Sequence, residues 1–492
     1  MKKDKLYNII SNIFIYVSIL LANFLSIFKI LDADLFFDLR SAKDILTYGL
    51  DFKDHMSMHE GLKYLYHHWL YDLIIYPIFK IGSYPLLFFF VLLLFFIFSI
   101  IIYKYINNRI KNKYISLIFV IILSYFMGHC FMPRVQSLSY LVILLEFVVI
   151  EKLYTTGKRK YSILSIILSI FMVNIHFPLW IMIPIFYLPY IANIFINYFV
   201  NKYKLNILNK KIEYINCNNI KLFIITFIVI LLSCLVSPYG LLPYLFGFEV
   251  SSLYSTIYYK IGEMRLVTFR EMKYIFLFFA ILIGFMIGSK NKIKLYQLFY
   301  LIGIGILGFT YMRNTPFLYT YYILIIVPII FKDLKINLIK ININKNVIIS
   351  IFTILVISLL VASITTIDYR EYQYGANNGG EPIEVADYII DNLDYKNIRL
   401  YNEFAQGSYL AYRNIPVFID SRVEVYISKF NGKENIIVDY HNMEPEELIK
   451  KYKFDYYLVI PGTKMYDYLK DNNYELIYSS YNYYYLYKNK EA

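Results

Sequence analysis

The sequence predicts an all-α polytopic membrane domain followed by a small α/β domain outside the membrane. Hydrophobic residues make up 59% of 492, against roughly 45–50% in ordinary globular domains, and charged residues only 17%. The apolar residues are gathered into runs of about 15 to 25, the length that crosses a hydrocarbon core of about 30 Å as a helix. After about residue 367 the apolar runs shorten and alternate in type. Those observations divide the chain into a transmembrane domain, 1–366, with a first outer loop at 31–82, and an extracytoplasmic α/β domain, 367–492.

Eleven helices are expected, at about 8–30, 83–103, 114–128, 137–152, 161–174, 178–199, 222–236, 273–289, 295–312, 316–331 and 346–366. The first, after the basic head MKKDK, is too long for a signal-peptide core and lacks a small-x-small cleavage site, so it reads as retained. Lys and Arg cluster in alternate gaps, at 104–113, 152–160, 202–221, 290–294 and 332–345, with the same sidedness as the N-terminus. Basic loops stay on the cytoplasmic side. The expected topology is therefore a multi-pass plasma-membrane protein with its N-terminus cytoplasmic and its tail extracytoplasmic. LYDLIIYPIFKIG, 70–82, is too short to span and reads as an interfacial or re-entrant helix.

In the tail, EPIEVADYIIDNL, EPEELIKKY and KMYDYLKDN read as short helices. IRLYN, VFID, YYLVI, ELIYSS and YYYLYK read as strands, and alternation of this kind predicts an α/β domain. The Tyr-rich end, SSYNYYYLYKN, reads as an edge strand. NNGG at 377–380 is a flexible lead-in.

The net charge of +13 follows from the basic loops that orient the helices, so no nucleic-acid partner is implied. The partner of the helices is the lipid bilayer. Cys130, Cys217 and Cys234 are far apart and suggest neither a disulfide framework nor a metal spacing.

In this topology the unusual polar side chains share the outer face. Asp32, Asp34, Asp38, Asp54, His67 and His68 lie in the first outer loop, and Arg134 and Gln136 (MPRVQ) in the second. Asn174 and His176 (NIHFP) lie in the third, Glu263 and Arg265 (GEMRL) in the fourth, and Arg313 (MRNTP) in the fifth. Outer loops tolerate polar residues simply by being wet. NIHFP and MRNTP, however, are only a few residues between apolar runs, where charge is costly and tends to serve an ion, substrate or proton. Arginine suits phosphate through its planar fork of donors, and a carboxylate suits a general base. Glu146, toward the cytoplasmic end of its helix, reads as a packed or snorkelling side chain.

DADLFFDLRSAKDILTYGLDFKDHMS followed by YHHWLYDLIIYPIFKIG resembles the first outer loop of bacterial GT-C-type glycosyltransferases. The matching positions are Asp32, Asp34, Phe36, Phe37, Leu39, Gly49, Asp54, Ser57, His67, Trp69 and Leu70. Further matches are Pro133, Arg134 and Gln136, then Asn174 with His176, and Pro-Tyr-Gly at 238–240. In the tail they are Asn402, Gly407, Tyr409, Leu410, Asp420, Arg422 and Tyr426. Asp38 stands where that branch more often has His, and Ala42 where it often has Gly. The Asp420-x-Arg422 pair reads most simply as an ion pair at a strand end, and more sharply as an acceptor-recognition element.

The resemblance implies an inverting transfer of a sugar from a polyprenyl-phosphate-linked donor to an extracytoplasmic acceptor hydroxyl on a cell-envelope glycan, lipid or protein. Asp34 is then the expected base, with Asp32 supporting it or holding a divalent metal ion where the reaction uses one. The expected substrate-binding residues are Asp54, His67, His68, Arg134, Gln136, Asn174, His176, Glu263, Arg265 and Arg313. The alternatives are a lipid-linked glycan transporter or flippase, which would need polar residues through the bilayer midplane, and a non-catalytic envelope assembly protein.

Overall fold

The structure, a computed structural model, describes residues 2–27, 34–203, 211–246, 265–332, 381–480 and 483–490. The chain forms two compact units. One comprises Met1–Phe28 with Phe89–Ile367, the other Lys29–Phe88 with Asp368–Ala492.

The first unit is helical. Helices lie at ten of the eleven expected positions; the eleventh, 346–366, lies outside the described residues. Five helices are long and apolar enough to cross a membrane: Trp69–Ile110, Lys113–Cys130, Phe177–Tyr203, Phe269–Gly288 and Met312–Phe331. Ser11–Ser26, Ile220–Val236 and Leu295–Thr310 are apolar but shorter. Their outward faces carry bare hydrophobic side chains, among them Phe89, Ile118, Phe195, Ile228, Phe285 and Ile306. An exposed apolar surface of this extent is stable against lipid and not against water.

Many polar contacts between the helices are short hydroxyl and amide pairs. Asn23 accepts from Ser99 at 3.1 Å and from Ser124 at 2.7 Å, and Ser162 pairs with Thr226 at 2.7 Å. Such short hydroxyl and amide contacts let apolar helices select one another without carrying charge into the core. Glu146 is packed, wholly buried, and accepts from Ser165. Strands β1 (Ile212–Glu213) and β2 (Ile293–Lys294) pair in parallel within this unit.

The helix Trp69–Ile110 is interrupted where Gly82 and Ser83 leave helical geometry, Ser83 at φ 52°. The expected segment 70–82 is therefore helical, and it ends at a break rather than as a separate element. Pro85 just beyond lacks the N–H that would bridge back across that break.

The second unit contains a four-stranded sheet of β3 (Leu400–Asn402), β4 (Tyr456–Val459), β5 (Glu475–Ser480) and β6 (Tyr484–Lys488), in the order β3-β4-β6-β5. β3 and β4 are parallel; β4–β6 and β5–β6 are antiparallel. The Tyr-rich end is thus an inner strand, paired on both sides, and β5 takes the edge. Leu486 and Tyr487 need that cover, being almost wholly buried. VFID forms no strand. Val417 makes only isolated bridges, to Leu400 and to Ser57. The three short tail helices appear as Ile383–Asn392, Pro445–Tyr452 and Lys464–Asp471, and Phe404–Tyr412, Ser428–Asn431 and Ile436–Asn442 are further helices that the sequence reading lacked.

The domain division differs from the expected one. The segment expected as a first outer loop belongs with the tail, because its apolar and charged side chains find their partners there. The helix Asp34–Tyr48 buries Phe36 against Tyr409 and Tyr412, with ring centroids 5.0 and 5.7 Å apart. Arg40 donates to the Ala411 carbonyl at 2.9 Å and the His55 carbonyl at 3.1 Å. Backbone bonds Met58 N–Val417 O and Val417 N–Met56 O, 2.8 and 3.1 Å, stitch the loop to the tail segment.

Candidate functional site

Two polar clusters stand out, one in each unit. In the helical unit, Arg134 and Gln136 begin the helix Val135–Thr156, and Arg313 sits in the single 3-10 turn Met312–Asn314. Both segments are short links between apolar helices, so their polar side chains have little room to turn away. They meet in one cavity of about 220 Å³, lined by His129, Cys130, Met132, Arg134, Gln136, Tyr140, Met312, Arg313, Thr315 and Pro316. That is several times the roughly 30 Å³ share of one liquid water. The Gln136 side-chain oxygen is buried with no donor among the described residues, as a group awaiting a polar ligand would be. A second cavity, about 320 Å³ and mostly apolar, is lined by Phe186, Tyr300, Ile304 and Leu307 and reaches Tyr311 and Asn314, the neighbours of Met312 and Arg313.

Three expected residues of this unit stand outside the lining of the arginine cavity. Asn174 donates to the carbonyls of Ile170 and Val236 at 2.8 and 3.1 Å, which ties its helix end to the chain following Ile220–Leu232. His176 is 2% exposed and pairs through Nδ1 with Ser139 Oγ at 2.8 Å. Arg265 is exposed and pairs with Glu271 at 2.9 Å, while its carbonyl accepts from Met312 N at 3.1 Å. Asp32 and Glu263 lie outside the described residues.

In the second unit, Asp34 is the first residue of the helix Asp34–Tyr48, where the helix dipole favours an anion. Near it lies Glu424, in the 3-10 turn Val423–Tyr426. The Glu424 side chain is 12% exposed and faces His67 Nδ1 at 3.2 Å. Burial pushes its carboxyl up to about 8, and the negative charges of Asp420 and Asp34 add to that rise against the pull of Arg422. A carboxyl poised in that range can give or take a proton near neutrality. The sequence reading missed Glu424. Its signal was an acid two positions after Arg422 inside the matched stretch IDSRVEVY.

The other matched tail residues hold the fold. Arg422 donates to both Asp420 oxygens at 2.6 to 3.1 Å and to Asp54 Oδ1 at 2.7 Å. The Tyr64 ring lies 4.7 Å from the guanidinium. The ion-pair reading of Asp420 and Arg422 therefore agrees with the geometry, and Asp54 joins it. Burial works against the Asp54 charge, but Arg422 and hydrogen bonds from Ser57 outweigh it and hold the carboxyl below its ordinary range. Asn402 donates to the Ile419 carbonyl at 2.7 Å and accepts from Phe418 N at 2.9 Å. A Cβ on Gly407 would lie 1.9 Å from the Ile419 carbonyl oxygen, so only glycine fits there.

His68 Nδ1 approaches Asp38 Oδ1 at 3.3 Å, and Asp72 completes a group of three metal-capable side chains. That group is the one with ligand spacing among the described residues. No protein-family model and no curated protein matches this chain.

Proposed function

We propose that this chain is an integral-membrane glycosyltransferase that moves a sugar from a polyprenyl-phosphate carrier to an extracytoplasmic acceptor hydroxyl, with inversion. The observation that carries the proposal is the cavity that collects Arg134, Gln136 and Arg313 from two separate links, with an apolar cavity lined by the neighbours of Arg313. A charged pocket and an oily one built from one turn suit an amphiphile with a phosphate head, and transporters of neutral solutes have no need of the arginines.

In this reaction the acceptor oxygen attacks the anomeric carbon, and the bond from that carbon to the phosphate oxygen breaks. The phosphate keeps the electron pair, and the negative charge it gains is stabilised by Arg134 and Arg313. The hydroxyl proton passes to Asp34, the base that the resemblance of the first loop implies, at the first position of its helix. Glu424, protonated near neutrality, and His67 at 3.2 Å from it stand beside Asp34 as neighbours that set its surroundings.

Comparing the membrane lipids of cells with and without this chain tests the proposal. Accumulated polyprenyl-phosphate sugar in its absence is the expected result, and an unchanged lipid pool would contradict it.

A further inference from the structure

Asp38 lies one turn into the helix Asp34–Tyr48, and Asp72 lies in the first turn of Trp69–Ile110, its N–H bonded to the His68 carbonyl at 2.9 Å. One ligating atom from each of Asp38, His68 and Asp72 lies within 4.8 Å of the other two. Asp38 is 1% exposed and Asp72 is wholly buried. Neither Asp72 side-chain oxygen meets a donor among the described residues, and the charged group that acts on it is the Asp38 carboxylate.

Two carboxylates facing each other away from water repel unless a proton or a cation lies between them. A shared proton serves one oxygen of each acid and leaves the second Asp72 oxygen buried without a partner, which native structures avoid. A divalent ion balances both charges and takes an oxygen from each acid and a nitrogen from the imidazole. Ligands held about 2.0–2.2 Å from a metal lie roughly 3–4 Å from one another, so small side-chain rotations close this set.

We propose that Asp38, His68 and Asp72 bind a divalent transition-metal ion, leaving its other coordination positions to water or substrate. Two carboxylates with one imidazole suit Mn²⁺ or Zn²⁺. Calcium, which takes about six to eight oxygens, is a poor match. Asp38 and Asp72 stand on two helices and His68 in the turn that leads directly into the second. The His67 ring, 5.7 Å from that of His68 between centroids, and the Phe37 ring at 6.2 Å shelter the imidazole.

The test uses the purified full chain in detergent, stripped with chelator and dialysed against Mn²⁺ or Zn²⁺ near neutral pH. One equivalent of ion per chain is expected. Asp72→Asn and His68→Gln should each weaken binding at least about a hundredfold, since even outer-shell changes cost 10- to 100-fold. Should a variant fail to fold, pulsed electron paramagnetic resonance on Mn²⁺ bound to the unaltered chain decides, with nitrogen modulation from one imidazole expected. No bound ion, an ion held by oxygen ligands alone, or binding unchanged in both folded variants would overturn the proposal.

Discussion

Asp54 and Arg422, 368 positions apart in the chain, form an ion pair at 2.7 Å with both side chains wholly buried. Asp420 closes the other side of the same guanidinium at 2.6 Å. Two acids and one arginine leave a net negative charge inside the second unit, and the pairing joins the stretch after the first helix to the tail. The stretch around Asp54 is thereby part of the same compact unit as the tail strands.

Removing the arginine should hurt far more than removing one acid. Arg422→Met strands two buried carboxylates and should destabilise by about 3–5 kcal/mol. Asp54→Asn leaves Arg422 with Asp420 and a neutral pair, so a loss of only about 1–3 kcal/mol is expected. Thermal unfolding of the two variants in matched detergent checks the order. Equal losses would mean that Asp54 carries the pair as fully as the arginine.

Much of this architecture can be read from one sequence. The apolar runs mark ten helices, and period-2 patterns mark four of the five expected strands, because both signals are local. VFID failed because its partners, Ser57 and Leu400, offer only isolated bridges. The Tyr-rich strand was misplaced at the edge because pairing order depends on contacts between distant segments. The union of the first loop with the tail was hidden for the same reason. At the site, Arg313 was legible as charge squeezed between apolar runs, and Arg134 with Gln136 as polar residues of another short link; the structure gathers all three. Asp72 was overlooked although the signal was present: a lone acid in the oily stretch LYDLIIY. Asn174 and His176 were legible as polar groups, but their partners, a backbone carbonyl across the bundle and Ser139, were not.

Glu424 should give the second unit a pH-dependent stability. Its carboxyl ordinarily titrates at 4.5 and is held near 8 by burial, so the folded state keeps its proton through a range in which the unfolded chain loses it. The contribution is fully present below about 4.5 and fades as pH rises toward 8, by up to about 1.4 kcal/mol per pH unit. Glu424→Gln removes this slope. Denaturation midpoints of both proteins between those limits should converge on the acidic side and separate toward pH 8, with the variant the more stable. Parallel pH curves would contradict the assignment.

Arg134→Ala and Arg313→Ala should each impair use of the lipid donor more than folding. Each removes a charge-assisted contact worth about 1.5–3 kcal/mol, or roughly ten- to a hundredfold in donor affinity. Binding of polyprenyl phosphate to the purified variants measures this. The phosphate assignment requires the double variant to bind worse than either single one, and wild-type affinity in both single variants would remove it.

The central claim is that Asp34 takes the acceptor proton, and the direct measurement is sugar transfer by Asp34→Asn reconstituted in lipid, with donor binding followed in parallel. Asparagine keeps the shape of the side chain and loses the proton acceptor. The account predicts normal insertion, near-normal donor binding, and a transfer rate lowered by about 10²–10⁴-fold. A variant that keeps more than about a tenth of the wild-type rate, short of any general-base effect, would contradict it.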